Sequence, residues 1–386
     1  MSKQARHIIL VIILALFLIP VSIFAQSENN QKNRDVYIKK AQAYFDKKEY
    51  TKAIKWFKKG LKIDSSSFSC HEGLGIAYMN INNHAEAIKW LKEGLRINPY
   101  AAGLYSDLGR VYFNMQENAE AIKWFKEGLV VDPRYPGPYE ELGRIYLHLR
   151  NYTEAIKWFK NGLTVDLRNP GHYDGLGRVY LDMQNNTEAI KWFKEGITAA
   201  PHNFRCYEGL GVVYMTIKNY PEAIKWFKEG MKVSSRAIEL YVGLGKAYMF
   251  MKDYAEAIKW FKEGTKIDPR DSRCYEGLGR VYFNMENNNE AIKLFKKSSQ
   301  LPTLHFYVCP YEGLGLAYLK QGKTKEAEAS FKKAIAINPN VEYKTYNSLA
   351  KIYIKQGKIQ EAKELLEKSI KNYSYDDEAK SLLKDI

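Results

Sequence analysis

The stretch AIKWFKEGL, Ala121 to Leu129, decides the fold, because nearly the same string recurs along the chain at a fixed interval. Its tryptophan is one of seven, at Trp56, Trp90, Trp124, Trp158, Trp192, Trp226 and Trp260, each 34 residues after the last. The Ala-Ile pair returns once more, without tryptophan, at Ala291-Ile292. A period of that length marks a unit that cannot bury its apolar face alone and must stack on copies of itself. Function is therefore sought on an extended surface rather than in a pocket of unique residues.

Each unit has two apolar-periodic halves. In the first, Tyr139, Leu142 and Tyr146 recur at steps of three and four, which lines one face of a helix; Ala155, Ile156, Phe159 and Leu163 do the same in the second. A polar turn, Leu149 to Thr153, separates them. Asp132-Pro133, Asn98-Pro99 and Asp268-Pro269 follow the second half, where proline stops one helix and redirects the chain. The repeat reads as helix, turn, helix, turn.

The order Tyr139, Leu142-Gly143, Tyr146, Ala155, Phe159 and a chain-breaking turn resembles the tetratricopeptide repeat, whose pattern is an aromatic, Leu-Gly, Tyr, a small Ala, Phe and a terminal Pro. The resemblance implies an all-α fold, a right-handed α-solenoid of about ten stacked helix-turn-helix repeats. These span 34-67, 68-101, 102-135, 136-169, 170-203, 204-237, 238-271, 272-307, 308-342 and 343-376, with 377-386 as a C-terminal capping helix segment. The period slips between Ser298 and Pro310, which reads as a local bend or a contact loop.

Two departures from the pattern need a reason. Tryptophan stands in the second helix rather than opening the first, and glycine replaces a second alanine at Gly94, Gly128, Gly162, Gly196, Gly230 and Gly264. Mid-helix glycine costs about 0.5 to 1 kcal/mol. Full burial of an indole is worth roughly 4 to 6 kcal/mol, so the expectation is that each glycine makes room for a tryptophan.

The N-terminus follows another logic. Lys3 and Arg6 precede twelve apolar residues, Ile8 to Ile19, then Pro20 and a small-residue stretch ending at Ala25. Residues 1-25 read as a secretory signal peptide or as an N-terminal membrane anchor, and 26-33 as a polar linker. Either reading exports the repeats, to the periplasm, the exterior or a membrane surface. Cys70, Cys206, Cys274 and Cys309 are too few for a disulfide framework. Only Cys274 and Cys309 lie on neighbouring units, and buried free thiols are the simpler expectation.

Enzymatic signatures are missing. The repeated Gly73-Leu74-Gly75 has Tyr78 where a dinucleotide fingerprint needs its third glycine, and the histidines form no metal-binding spacing. The expectation is a non-enzyme without cofactor, metal or small-molecule substrate. The net charge of +15 suggests a polyanion, acidic polysaccharide, an anionic membrane surface or RNA, but most lysines recur beside glutamates as a solvated helix face.

Family resemblance places the first helices along a concave groove that takes a protein or peptide partner. Directly after Leu-Gly, that wall carries Arg110, Arg144, Arg178, Val212, Lys246 and Arg280, with Lys351 in the tenth unit. Four residues earlier stand Ser106, Glu140, Asp174, Glu208, Val242 and Glu276, so several cations can pair within their own helix. A third row includes Met79, Phe113, Met249 and Phe283, as groove floor or as core between repeats. The candidate site is thus Arg110, Arg144, Arg178, Lys246, Arg280, Lys351, Phe113 and Phe283, in an exported scaffold. The alternative is polyanion binding by basic faces.

Overall fold

The computed structural model describes residues 31–301 and 310–386. The export segment 1-25, Cys309 and most of the period slip lie outside them. Every regular element described is an α-helix, and the helices alternate as the repeat predicts. A helix over residues 31–46 precedes Tyr50–Ile63, so residues 31–33, read as linker, are already helical. The chain falls into two compact units, one ending at Val179 and the other beginning at Tyr180. Each is a succession of helical hairpins. Among the described residues no helix is long and apolar enough to cross a membrane.

Ala102–Asn114 and Asn118–Val131 illustrate the hairpin in the first unit. Its turn reverses through Gln116 at φ 64°, a left-handed conformation that costs a residue with a Cβ. Asparagine or aspartate opens many second helices. Asn151, Asn219 and Asp253 accept hydrogen bonds from the amides of Glu154, Glu222 and Glu256, satisfying donors that the helix itself leaves free. After the second helix, Asp132 accepts from the Arg134 amide at 2.9 Å, an Asx turn that starts the next repeat. The Tyr139 hydroxyl then donates to the Pro133 carbonyl at 2.9 Å, fixing the new helix to that turn.

The core explains the Gly-Leu-Gly string. Phe227, 1% exposed, lies between Gly211 of its own repeat and Gly243 of the next, and Phe261 lies in the same way between Gly245 and Gly277. A Cβ on Gly243 would stand 2.6 Å from Phe227 Cζ, so the ring occupies the volume that any larger residue needs. Phenylalanine, not tryptophan, is the partner of glycine in the first helix.

The glycine of the second helix corrects the sequence reading. A Cβ on Gly60 or Gly264 would lie 2.6 Å from the Sγ of Cys70 or Cys274, and one on Gly94 2.7 Å from Leu104 Cδ1. Gly60, Gly94 and Gly264 therefore face the following repeat's first helix rather than an indole, whereas a Cβ on Gly128 would lie nearest its own repeat's Tyr105 Cβ, at 3.1 Å. The tryptophan four residues earlier lies on the same helix face and meets its own repeat's tyrosine: Tyr105 and Trp124 at 6.0 Å, Tyr207 and Trp226 at 6.2 Å between centroids. All seven indoles are half-buried, and full burial was an overestimate. Cys70 and Cys274 are buried free thiols, Cys206 is buried as well, and His71 and His172 are packed inside.

Candidate functional site

The cationic row stands on the first helices, and the structure shows which members are already engaged. In the first unit, Arg178 makes two bonds to Asp174, at 2.9 and 3.0 Å, while Arg144 is 4.0 Å from Glu140. Ser106 offers Arg110 no carboxylate, and the guanidinium reaches Glu141 of the next repeat at 3.4 Å. In the second unit, Arg280 pairs with Glu276 of its own helix, and Lys351 bonds Glu378 of the final helix at 2.5 Å. Lys246 differs. Its helix carries buried Val242 at the acidic position, and the ammonium makes no ion pair or hydrogen bond among the described residues.

Each unit has a cavity among its first helices. In the first unit, Arg110, Arg144, Asn80, Asn82, Asn114 and Glu141 join Met79 and Phe113 around about 420 Å³. In the second, Lys246, Arg280, Arg273 and Glu342 join Met249, Phe250, Phe283 and Leu316 around about 660 Å³. The structure thus brings Arg110, Arg144 and Phe113 together, and separately Lys246, Arg280 and Phe283. Arg178 and Lys351 line neither. The third row is neither open floor nor sealed core, since Met79, Phe113, Met249 and Phe283 are all half-buried.

Sequence reasoning missed Phe250 and Leu316, 56% and 36% exposed. A signal existed for the first: Phe250 ends its helix where the other central repeats place Asn80, Asn114, His148, Asp182, Thr216 and Asn284. The Tyr220 ring stacks on it, centroids 5.7 Å apart and planes 7° from parallel. Leu316 follows Gly315 in the row position that arginine usually takes, and an apolar residue there extends the cavity wall.

Burial sets the state of several wall carboxylates. Asp107, beside Leu108-Gly109, is raised to about 6 by desolvation, with Arg110 opposing the shift. It stands where most repeats have the first glycine, and the preceding repeat has Leu91 instead of phenylalanine. Glu312 is also raised by burial and accepts from the Thr345 hydroxyl at 2.8 Å. Among the described residues, no three His, Cys, Asp or Glu side chains converge to hold a metal.

Models described as tetratricopeptide repeat match residues 41–82, 69–100, 106–164, 175–231, 238–271, 272–340 and 318–386. The chain belongs to the tetratricopeptide repeat family. Among solved structures it is similar to yeast Tom70, at 13% identity over 92% of this chain and 97% of that one, with a TM-score of 0.54. It is also similar to a tetratricopeptide repeat protein from Parabacteroides merdae, at 19% identity over 66% of this chain and 98% of that one, TM-score 0.52. At these identities the likeness concerns the fold. No curated protein matches the chain.

The second helices of this tetratricopeptide array present the lysine face. Lys157 and Lys259 pair with Glu154 and Glu256 at 3.1 and 2.8 Å, and the same glutamates accept the indole N–H of Trp158 and Trp260 at 3.0 Å. Lys126 lies 5.7 Å from the Trp158 ring of the following repeat, within cation–π range. These lysines are therefore held in a lattice of glutamate and tryptophan, which leaves less free cationic character than the net charge suggests.

Proposed function

We propose that this chain is an exported scaffold whose first-helix wall holds a segment of a partner protein, with the cavity of the second unit as its main anchor. One observation carries the reading: an uncommitted ammonium, Lys246, beside four accessible apolar side chains in a cavity of about 660 Å³. A pocket of that size and lining takes a large apolar side chain, and the cation adds a carboxylate partner at its edge. Export is supported by the charged start and apolar run of residues 1-25. The polyanion alternative is disfavoured because one lysine of each central second helix, such as Lys157 and Lys259, is already paired with a glutamate of its own helix.

Affinity capture from envelope extracts with the full chain, compared with Lys246→Glu and Leu316→Arg variants, tests this. The partner retained by wild type is expected to be lost from both variants and kept by Arg178→Ala, which lies outside both cavities. Equal capture by all four proteins would overturn the reading. Fractionation of cells expressing the full chain tests export; recovery in the cytosol would refute it.

A further inference from the structure

Three tyrosines meet where the last repeat begins and ends. Tyr343 opens its first helix, and Tyr373 and Tyr375 follow its second. Their ring centroids stand 6.0, 6.1 and 6.0 Å apart, and their planes are inclined by 59°, 81° and 73°. No two of these rings are stacked, so none covers the whole face of another. A group seated over the middle of so small a triangle lies within about 6 Å of all three centroids, the reach of a cation–π interaction.

The turn itself does not need these rings. Asp64, Asp132, Asp166 and Asp268 stand where Tyr373 does, each accepting from the amide two residues on. Tyr373 gives up that bond. Its hydroxyl instead donates to the carbonyls of Asn340 and Val341, at 2.9 and 3.0 Å, which ties the last turn to the previous one and commits the polar tip of the ring. Tyr375 has no such role: it is 67% exposed, and its hydroxyl makes no hydrogen bond among the described residues.

The surrounding charge favours a cation. The Glu342 carboxylate, next to Tyr343, makes no ion pair or side-chain hydrogen bond among the described residues. Burial raises the Tyr373 phenol, and Tyr375, Glu342 and Glu312 raise it further with no cation opposing. At other tyrosines the chain's own lysines take the ring face: Lys297 lies 4.2 Å from the Tyr275 centroid, and Lys333 4.4 Å from that of Tyr311. Here Lys344 alone approaches, at 5.9 Å from Tyr343 and so at the outer limit, while Tyr373 and Tyr375 have no cation over them among the described residues.

We infer that Tyr343, Tyr373 and Tyr375, with Glu342 beside them, bind a quaternary ammonium group of the choline type. A bare ammonium or guanidinium would give up water that ring faces cannot replace with hydrogen bonds, whereas a trimethylammonium spreads its charge over methyl groups and is desolvated at little cost. The three rings line neither cavity, and only Glu342 also borders that of the second unit. The site therefore does not rest on the proposed function.

Isothermal titration of the full chain with choline chloride tests the site, with the neutral tert-butyl isostere of choline as the control for apolar contact. Choline is expected to bind about tenfold or more tightly than the isostere, and Tyr375→Ala to weaken choline about tenfold. Tyr375→Phe should retain it. Circular dichroism checks that the variants fold. Lys246→Glu and Leu316→Arg, which remove the anchor of the proposed partner, should bind choline as wild type does, and Tyr375→Ala should still capture that partner, so failure of one reading leaves the other standing. Flotation with phosphatidylcholine vesicles that Tyr375→Ala abolishes would assign the group to a lipid headgroup; binding of free choline without flotation would assign it to a soluble compound. No binding of choline, equal binding of the isostere, unchanged affinity in Tyr375→Ala, or equally tight binding of an unmethylated lysine peptide overturns the assignment.

Discussion

Replacing Gly243 by alanine tests the packing rule on which the array rests. The new Cβ would stand 2.6, 2.7 and 2.9 Å from three ring atoms of Phe227, a side chain 1% exposed and confined on its other side by Gly211. Overpacking of this kind costs about 1 to 3 kcal/mol, and alanine returns about 0.5 to 1 kcal/mol in helix propensity. The net expectation is a loss centred near about 1 kcal/mol, within limits of about 0 and 2.5 kcal/mol, read by urea unfolding. Gly103→Ala is the control, because its Cβ would find nothing nearer than the Tyr135 hydroxyl at 3.8 Å; it should gain about 0.4 to 1 kcal/mol. The chain supplies a rescue of its own, since Leu91 in the phenylalanine position coexists with Asp107 in the glycine position. Combining Gly243→Ala with Phe227→Leu should therefore cost less than the sum of the singles by about 1 kcal/mol. If Gly243→Ala is as stable as wild type, or the double variant is additive, the interlock of phenylalanine and glycine is refuted.

Three further outcomes follow from named contacts. His172 is fully buried without a hydrogen-bond partner, and desolvation lowers it to about 4. Its neutral form is the folded form, so its stability contribution is complete above pH 6.5 and is lost as pH falls toward 4, by about 2 to 3 kcal/mol. His172→Cys, the residue at the equivalent position in Cys70, Cys206 and Cys274, should remove that slope in urea unfolding between pH 7 and 4.5. Asp107 acts in the opposite sense: its raised value of about 6 means that its penalty at neutral pH is relieved on acidification, and Asp107→Asn should abolish the relief in the same assay. Phe227→Ala should cost about 3 to 5 kcal/mol and Trp226→Ala only about 2 to 3 kcal/mol, since the indole is half-buried; the reverse order would restore tryptophan as the main packing residue.

The repeat and its helical hairpin were legible from Ala121 to Leu129 because a 34-residue period constrains every copy at once, and a helix face shows in residues three and four apart. The candidate wall was legible in part. Arg110, Lys246, Phe113 and Phe283 do line cavities, but which cation stays free appears only once ion pairs are measured: Val242 leaves Lys246 unpaired, whereas Arg110, with Ser106 in place of an acid, still reaches Glu141 of the next repeat.

Sequence alone determined that identical hairpins stack, since periodicity is a property of the chain. What tertiary structure decided was direction: glycine faces the phenylalanine of a neighbouring helix or the cysteine of the next repeat, and tryptophan faces tyrosine. Spacing along one helix tells which residues share a face, whereas the partner of that face is fixed by how helices 34 residues apart pack, and close packing leaves room for only one arrangement.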